Sequence, residues 1–463
     1  MRAYLQSRPI LLIAFAFAVM GDPVSSVAYA IEAALRALEG HLELLLPTMA
    51  LVIGIIALVD INYHQLVGRF PEGGGAAAAA GGAFGEGWAF APMGALIVDY
   101  ALTISISVAA GASAIIAYLP SLAGFRDMLA LALLVFVAAF TWFGHGGRTL
   151  FALMTLAFVA VGSITLISGM MGGHHEQPRQ VVPLTHPAVL AVVLAFPVAM
   201  ALATGTEAPS SAIAQLGQLD NSGRRRFGRI TLWLTLAVVG GLTLGITALA
   251  VSLGVGIPRP DSTQIADLAH EAASTPVFAA FQASTALLLL AAASSSFQAG
   301  PGLLRALARR RLASGQTAGV LAGWLGVTNK HHTPYWGVVL FAVGASAVVL
   351  LAGGQDQILV LYYAVAVFVA FLAGLVAMAK FSLVDRAWSA FAVNVAGTLA
   401  VAFTLAVNLG RIYPLLSLAA SALIAAALYS LWVRAGRPRG IAGALAEAEA
   451  GVVAPIEAGQ ARL

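Results

Sequence analysis

The sequence contains no cysteine and few charged residues. Because none of its 463 residues is a cysteine, disulfide bonds and thiolate metal ligands are excluded. Charged residues make up 10% of the chain, whereas a soluble protein carries about 25%. Hydrophobic residues make up 60%, which leaves too few polar side chains to cover a surface that faces water. The composition therefore predicts a membrane protein whose main partner is the lipid bilayer.

Long apolar segments predict twelve transmembrane helices, since about 20 apolar residues cross the bilayer core. The predicted spans begin near residues 9, 43, 89, 127, 149, 187, 230, 276, 335, 356, 388 and 413. Nineteen of the 24 Lys and Arg residues fall on the side of the N-terminus. Basic loops stay inside, so we expect a multi-pass protein of the cell inner (plasma) membrane with both termini cytoplasmic. The basic residues punctuate apolar segments instead of forming one face, so no nucleic-acid partner is expected.

Two of the predicted spans are interrupted near their middle. Span one contains Gly21, Asp22 and Pro23, and proline removes a backbone donor and clashes with the preceding turn. Span six, five spans later, is interrupted at Gly205. Interrupted segments at corresponding positions of two halves are typical of secondary transporters. The pattern predicts an all-α polytopic membrane protein with a five-plus-five inverted repeat, in which helix one is broken at residues 21–23 and helix six at residues 204–206.

This organisation divides the chain into one transmembrane domain and a tail. The transporter domain is predicted over residues 1–433, with repeats at about 9–172 and 186–380 and two additional helices at about 388–433. Residues 434–463 are predicted to be a short cytoplasmic tail, either disordered or a surface helix. The low-complexity segment PEGGGAAAAAGGAFGEGW predicts a flexible or re-entrant connection between spans two and three.

Carboxyl groups inside the spans indicate a binding site. A carboxylate such as Asp22 near mid-span costs free energy in the membrane, so it indicates a functional site by default. The alternative is that Asp22 only caps the second half-helix. Asp99 and Thr103 in span three are four residues apart and share one helix face. Two carboxylates with nearby hydroxyl groups suit a hard cation and suit the carboxylate of an amino acid badly. The paired histidines at 174–175 and 331–332 face apart and do not predict a zinc site.

Several strings resemble one known family. They are GDPVSSVAYA in span one, DYALTISISVAAG in span three, TGTEA in span six and LYYAVAVF in span ten. Together they resemble the APC (amino acid–polyamine–organocation) superfamily, and within it the KUP-type and KimA-type potassium uptake permeases. The resemblance covers roughly residues 10 to 380. It implies a LeuT-like fold and leaves the oligomeric state open, with a homodimer as one form.

The resemblance also implies a site. It assigns ion binding to Asp22, Tyr29, Asp99, Thr103, Thr204 and Tyr363, with Asp22 and Asp99 as carboxylate ligands of potassium. It assigns proton coupling to Glu207, for which a permanent helix-capping role is the alternative. No enzymatic activity and no cofactor are expected, only a transported potassium ion and proton.

The predicted function is proton-coupled uptake of potassium or a similar monovalent cation. The alternative is a proton-coupled amino acid or amine/polyamine permease of the same superfamily, although Asp22 would repel a carboxylate. A membrane receptor is disfavoured because no segment predicts a folded extramembrane domain. An ATP-driven pump is disfavoured because the chain contains no GxxxxGK[ST] loop.

Overall fold

The computed structural model describes residues 8–144, 148–172, 185–311, 317–363 and 365–450. Within them, ten helices are long and apolar enough to cross a membrane, and shorter apolar helices begin span one and form span nine. These helices account for the twelve predicted spans. The strands within the described residues are two residues long, Arg310–Arg311 and Thr317–Ala318, and they pair antiparallel. Helices satisfy their own backbone hydrogen bonds, which lipid cannot do.

The bounds of the helices follow the predicted order of spans. The spans comprise Arg8–Val19, Gly21–Ser25 and Val27–Ala37 (one), Leu42–Arg69 (two), Phe90–Tyr118 (three), Arg126–Trp142 (four), Arg148–Met171 (five), Ala188–Ala199, Met200–Ala203, Ala208–Ala212 and Ile213–Gln215 (six), Asn221–Leu253 (seven), Thr275–Leu307 (eight), Tyr335–Leu351 (nine), Asp356–Tyr363 and Ala366–Val384 (ten), Trp388–Asn408 (eleven) and Ile412–Arg434 (twelve). The connecting helices are Gly75–Phe84, Glu86–Ala89, Pro120–Phe125, Gln264–Ala272, Gly323–Gly326, Ile441–Gly443 and Ala444–Ala450.

The packing of the spans has the symmetry of an inverted repeat. Span two packs against span seven, span three against span eight, and span four against span nine. The second half of span one packs against the first half of span six in the same way. Each of these spans thus contacts its counterpart five positions along the chain, so the centre of the molecule lies where the two repeats meet.

Span one is interrupted differently from the prediction. Residues 21–23, predicted to be unwound, form the first turn of a short helix, Gly21–Ser25, and the interruptions fall at Met20 and Ser26 on either side. Proline is tolerated in the first turn of a helix, where its missing N–H would have no partner. The chain therefore restarts a helix at Gly21 instead of unwinding around Pro23.

Span six is unwound where the sequence predicted. Residues 204–207 form turns between the 3-10 helix Met200–Ala203 and the helix Ala208–Ala212. Thr204 is extended, with φ −53° and ψ 132°, and Gly205 has a φ of +72°. Residues with a side chain rarely adopt this left-handed conformation, so a glycine suits the break.

Most of the low-complexity segment is helical, so the prediction of a flexible connection is wrong, whereas a re-entrant connection stays a prediction. Gly75–Phe84 is helical and mostly buried, and it packs against span ten. A Cβ atom added to Gly75 would lie 2.7 Å from Oγ of Ser211 in span six. Alanine has the highest helix propensity, and the glycines allow close packing that composition alone did not reveal.

The described part of the tail packs into the protein instead of lying on its surface. Ile441 and Leu445 are 3% and 1% exposed and belong to one apolar cluster with Phe90 of span three. Arg310 forms an ion pair with Glu447 of the tail. The segment Ile441–Ala450 therefore closes over the ends of spans three and eight.

Candidate functional site

The interruptions of spans one and six lie directly against each other. A Cβ atom added to Gly205 would lie 2.9 Å from Cγ of Asp22 and 2.8 Å from Cδ of Pro23. The hydroxyl group of Ser26 lies 3.0 Å from the carbonyl oxygen of Leu202 and 2.6 Å from that of Pro23. The side chain of Asp22 therefore rests on the unwound backbone of span six, and its Oδ1 is buried without a hydrogen-bond partner.

Neither acid at the breaks caps a helix with its side chain. Met20 and Ser26 occupy the capping positions in span one, and no side chain caps either helix. Glu207 immediately precedes the helix Ala208–Ala212, but its side chain forms no capping hydrogen bond there. The capping alternatives for Asp22 and Glu207 therefore receive no support from the geometry.

Tyr29 and Thr204 form the wall next to Asp22. Tyr29 is 1% exposed, and its hydroxyl group is buried beside that of Thr204 without the geometry of a hydrogen bond. The Thr204 hydroxyl instead donates to the carbonyl oxygen of Ala201 at 2.6 Å. Asp22 interacts electrostatically with Tyr29, so these three predicted residues lie together.

Span three brings a second carboxyl group to the same place. Asp99 is 3% exposed. Its carboxyl group lies close enough to Asp22 and Tyr29 to interact electrostatically with both side chains. Thr103, 1% exposed, follows one turn later on the same helix face. The structure thus brings Asp22, Tyr29, Asp99 and Thr204 together, with Thr103 on the adjoining turn. The side chain of Tyr363 lies outside the described residues.

A cavity of about 610 Å³ leads to this site from one face of the molecule. Asp22 and Glu207 both line it, and so do Arg305 and Thr333 near the ends of spans eight and nine. Glu207 is 8% exposed. Asp22 and Glu207, which sequence analysis assigned to ion binding and proton coupling, therefore line the same cavity.

Two hydrogen-bonded networks lie toward the end of span one that is remote from the cavity. Asp356 accepts a hydrogen bond from Ser113 at 2.7 Å, and Arg126 donates to the same serine hydroxyl. Glu32 accepts from Arg36 at 2.8 Å and from the backbone of Gln264 at 3.0 Å. These contacts join span three to spans four and ten, and span one to the connecting helix Gln264–Ala272.

Next to these networks, Asp267 in the connecting helix Gln264–Ala272 is partly buried. Burial raises the pKa of its carboxyl group, while a hydrogen bond from Ser262 lowers it. Sequence analysis had singled out none of these polar residues.

Sequence analysis also missed a buried carboxyl group in span two. Asp60 is 2% exposed, and Tyr63 one turn later is 1% exposed with its hydroxyl group unpartnered. Tyr63 interacts electrostatically with Glu207, Asp60 and Asp99. The signal was present, because an aspartate inside an apolar span marks function by default.

The possible ligands at this site are all oxygen atoms. Asp22 and Asp99 supply carboxylates, and Tyr29 and Thr204 supply hydroxyl groups. No cluster of three or more His, Cys, Asp or Glu side chains that could hold a metal ion occurs among the described residues. Carboxylate and hydroxyl oxygens suit hard cations, whereas softer transition metals prefer nitrogen or sulfur ligands.

Comparisons with known proteins agree on a transporter. Residues 11–412 match the sequence model of the family described as amino acid permease. The potassium transporter KimA of Bacillus subtilis (strain 168) is 29% identical over 367 residues, or 76% of this chain. The matched region spans 58% of the length of KimA.

Solved structures give the fold. The manganese transporter of Eremococcus coleocola, in complex with an aromatic bis-isothiourea substituted compound, is 14% identical with a TM-score of 0.50. That match covers 93% of this chain and 95% of the other. A mutant of the same transporter has a TM-score of 0.49 over the same shares. The family match covers most of the chain, and the chain therefore belongs to the amino acid permease family of the APC superfamily, as a multi-pass membrane transporter.

Proposed function

We propose that this protein is a proton-coupled symporter that takes up potassium or a similar monovalent cation. It would work in the inner (plasma) membrane with both termini in the cytoplasm, as the distribution of Lys and Arg favours. The lipid bilayer and the transported ions are then its partners, and a homodimer remains a proposal from the resemblance.

The observation that carries this proposal is the position of Asp22 against Gly205. The carboxylate rests on unwound backbone, where freed carbonyl groups and half-helix ends can coordinate a cation. A second carboxylate, Asp99, lies within its electrostatic range. Two carboxylates repel each other, and a cation between them removes that repulsion. The relative KimA is a potassium transporter, which supports the same substrate.

The arrangement of cavity and networks supports release to the cytoplasm. The cavity reaches Asp22 from the face that carries Thr333 and the tail. The Asp356 and Glu32 networks would close the other face. For the transport cycle, these networks would open while the passage beside Glu207 closes, which exposes Asp22 to each side in turn.

Glu207 is the proposed proton carrier. It lines the same cavity as Asp22 and lies at the break of the same span that contacts Asp22. A carboxyl group that alternates between dry and hydrated surroundings can take up and release a proton in each cycle. Movement of span six would then link the proton to the cation.

The second candidate is proton-coupled transport of an amine or amino acid. The family description and the cavity volume of about 610 Å³ favour it, because that volume admits an organic solute. Asp22 would attract an organic ammonium group, whereas it would repel a carboxylate. An amine is therefore the stronger form of this candidate.

Uptake into proteoliposomes separates the two candidates. The purified chain would be reconstituted, and uptake of radioactive rubidium, spermidine and a mixture of amino acids would be measured with and without an inward proton gradient. The proposal predicts rubidium uptake that unlabelled potassium inhibits and that the gradient increases. Uptake of spermidine or amino acids without rubidium uptake would establish the second candidate instead.

A further inference from the structure

Asp60 of span two lies beside a second, much smaller cavity. The cavity has a volume of about 10 Å³, and its polar lining residues are Asp60, Thr206 and Thr235. Oδ1 of Asp60 and Oγ1 of Thr235 are buried without a hydrogen-bond partner. Asp60 is 2% and Thr235 is 5% exposed, so both oxygens are withdrawn from bulk water. Buried polar atoms usually have partners, and these two unpartnered oxygens belong to residues that line the same cavity.

The carboxyl group of Asp60 has no ion-pair partner among the described residues. None of the ion pairs among the described residues includes Asp60. The rest of the cavity wall is apolar, with Ile53, Ile56 and Val239. A carboxylate buried in such surroundings is strongly destabilising unless a positive charge accompanies it. Protonation of Asp60 or a cation bound in the cavity would remove this cost, and a cation would in addition give the hydroxyl group of Thr235 a partner.

Size and donor set identify the class of ligand. A volume of about 10 Å³ corresponds to one water-sized sphere, which excludes an organic solute. One carboxylate balances one positive charge, and a divalent ion requires more carboxylate or water ligands. We propose that the cavity beside Asp60 binds one small monovalent cation, of about the size of a sodium ion, held by Asp60, Thr235 and Thr206.

This cation would lie at the place where the two interrupted spans meet. Thr206 follows Gly205 in span six, and Pro23, which also lines the cavity, follows Asp22 in span one. A cation held by spans two, six and seven would therefore fix the break of span six against Pro23. Its occupancy would favour the packed arrangement of the two breaks, whatever substrate binds at Asp22.

Thermal unfolding of the purified full chain tests the proposal directly. The unfolding midpoint would be measured in potassium-free buffer while sodium chloride replaces choline chloride at constant ionic strength. We expect sodium to raise the midpoint of the wild type and of Asp22→Asn, but not of Asp60→Asn. Because Asp22→Asn removes the site of the proposed function, its sodium response separates failure of this inference from failure of that function.

A threonine pair supplies the matched control, in case Asp60→Asn does not fold. Thr235 and Thr247 lie on the same helix, and both have buried, unpartnered hydroxyl groups, but only Thr235 lines the cavity. Thr235→Val should raise the sodium concentration for half-maximal stabilisation by about tenfold, while Thr247→Val leaves it unchanged. The proposal is overturned if sodium does not stabilise the wild type, or if it stabilises Thr235→Val or Asp60→Asn as strongly as the wild type.

Discussion

Gly205 carries the tightest steric constraint at the place where the interrupted spans meet. Its φ of +72° costs a residue with a side chain about 1–2 kcal/mol, and a Cβ atom would collide with Asp22. Gly205→Ala should therefore displace Asp22, lower the unfolding midpoint and reduce uptake severely. Gly241→Ala is the control, because a Cβ atom there meets nothing within 4 Å. Equal behaviour of the two variants would contradict the contact between the breaks.

The variant Glu207→Gln tests whether this residue carries the coupled proton. Glutamine keeps the size and an acceptor oxygen but cannot titrate, so Glu207→Gln should leave uptake indifferent to an imposed proton gradient. The measurement is rubidium uptake into vesicles with and without a pH step. Glu271→Gln, in an exposed connecting segment, should respond like the wild type. A normal pH response in Glu207→Gln would exclude this residue as the proton carrier.

The sequence identified candidate site residues where a polar side chain lies inside an apolar span. Asp22, Asp99 and Glu207 stood out because carboxyl groups inside spans are rare. Asp60 is also a carboxyl group inside an apolar span. It lies in the final third of span two, which ends at Arg69, and this position in the sequence is equally typical of a residue near the polar interface. Asp60 is buried beside a small cavity because Thr206 and Thr235 pack around it, and the local sequence does not predict this packing.

At the scale of elements, the positions of the spans followed from hydrophobic length, whereas the form of their interruptions did not. Proline and glycine indicate that a helix cannot continue normally, but not how it resumes. In span one the chain restarts a helix at Gly21, and in span six it unwinds over four residues. The helix Gly75–Phe84 was misjudged because Gly75 packs closely against span six and Gly81 against the tail segment, contacts that composition does not reveal.

The tail segment Ile441–Ala450 is expected to contribute to the stability of the fold. Leu445 is 1% exposed, and truncating a buried leucine costs about 2–5 kcal/mol. Leu445→Ala should therefore lower the thermal unfolding midpoint clearly. The control is Leu423→Ala in span twelve, where the leucine is 71% exposed in the protein. A tail that lies loosely on the surface would instead give the two variants the same midpoint.

At the scale of the whole molecule, the proposed transport direction implies one open and one closed face, and the absence of cysteine makes this testable. Single cysteines can be introduced without background labelling. Ser295→Cys lies in the large cavity, and Ser121→Cys lies in an exposed loop after span three. A membrane-impermeant maleimide should label Ser295→Cys from the cytoplasmic side only and Ser121→Cys from the outside only. Labelling in the reverse sense would contradict the proposed orientation.

The central claim is that Asp22 holds the transported cation at the junction of the two repeats. It is tested most directly by growth and rubidium uptake of a potassium-uptake-deficient bacterium that expresses the wild type, Asp22→Asn or Asp261→Asn. Asp261 lies in the loop between spans seven and eight, away from the site. The account predicts that wild type and Asp261→Asn restore growth at limiting potassium, whereas Asp22→Asn is present in the membrane at normal amounts and takes up no rubidium. Normal uptake by Asp22→Asn would contradict it.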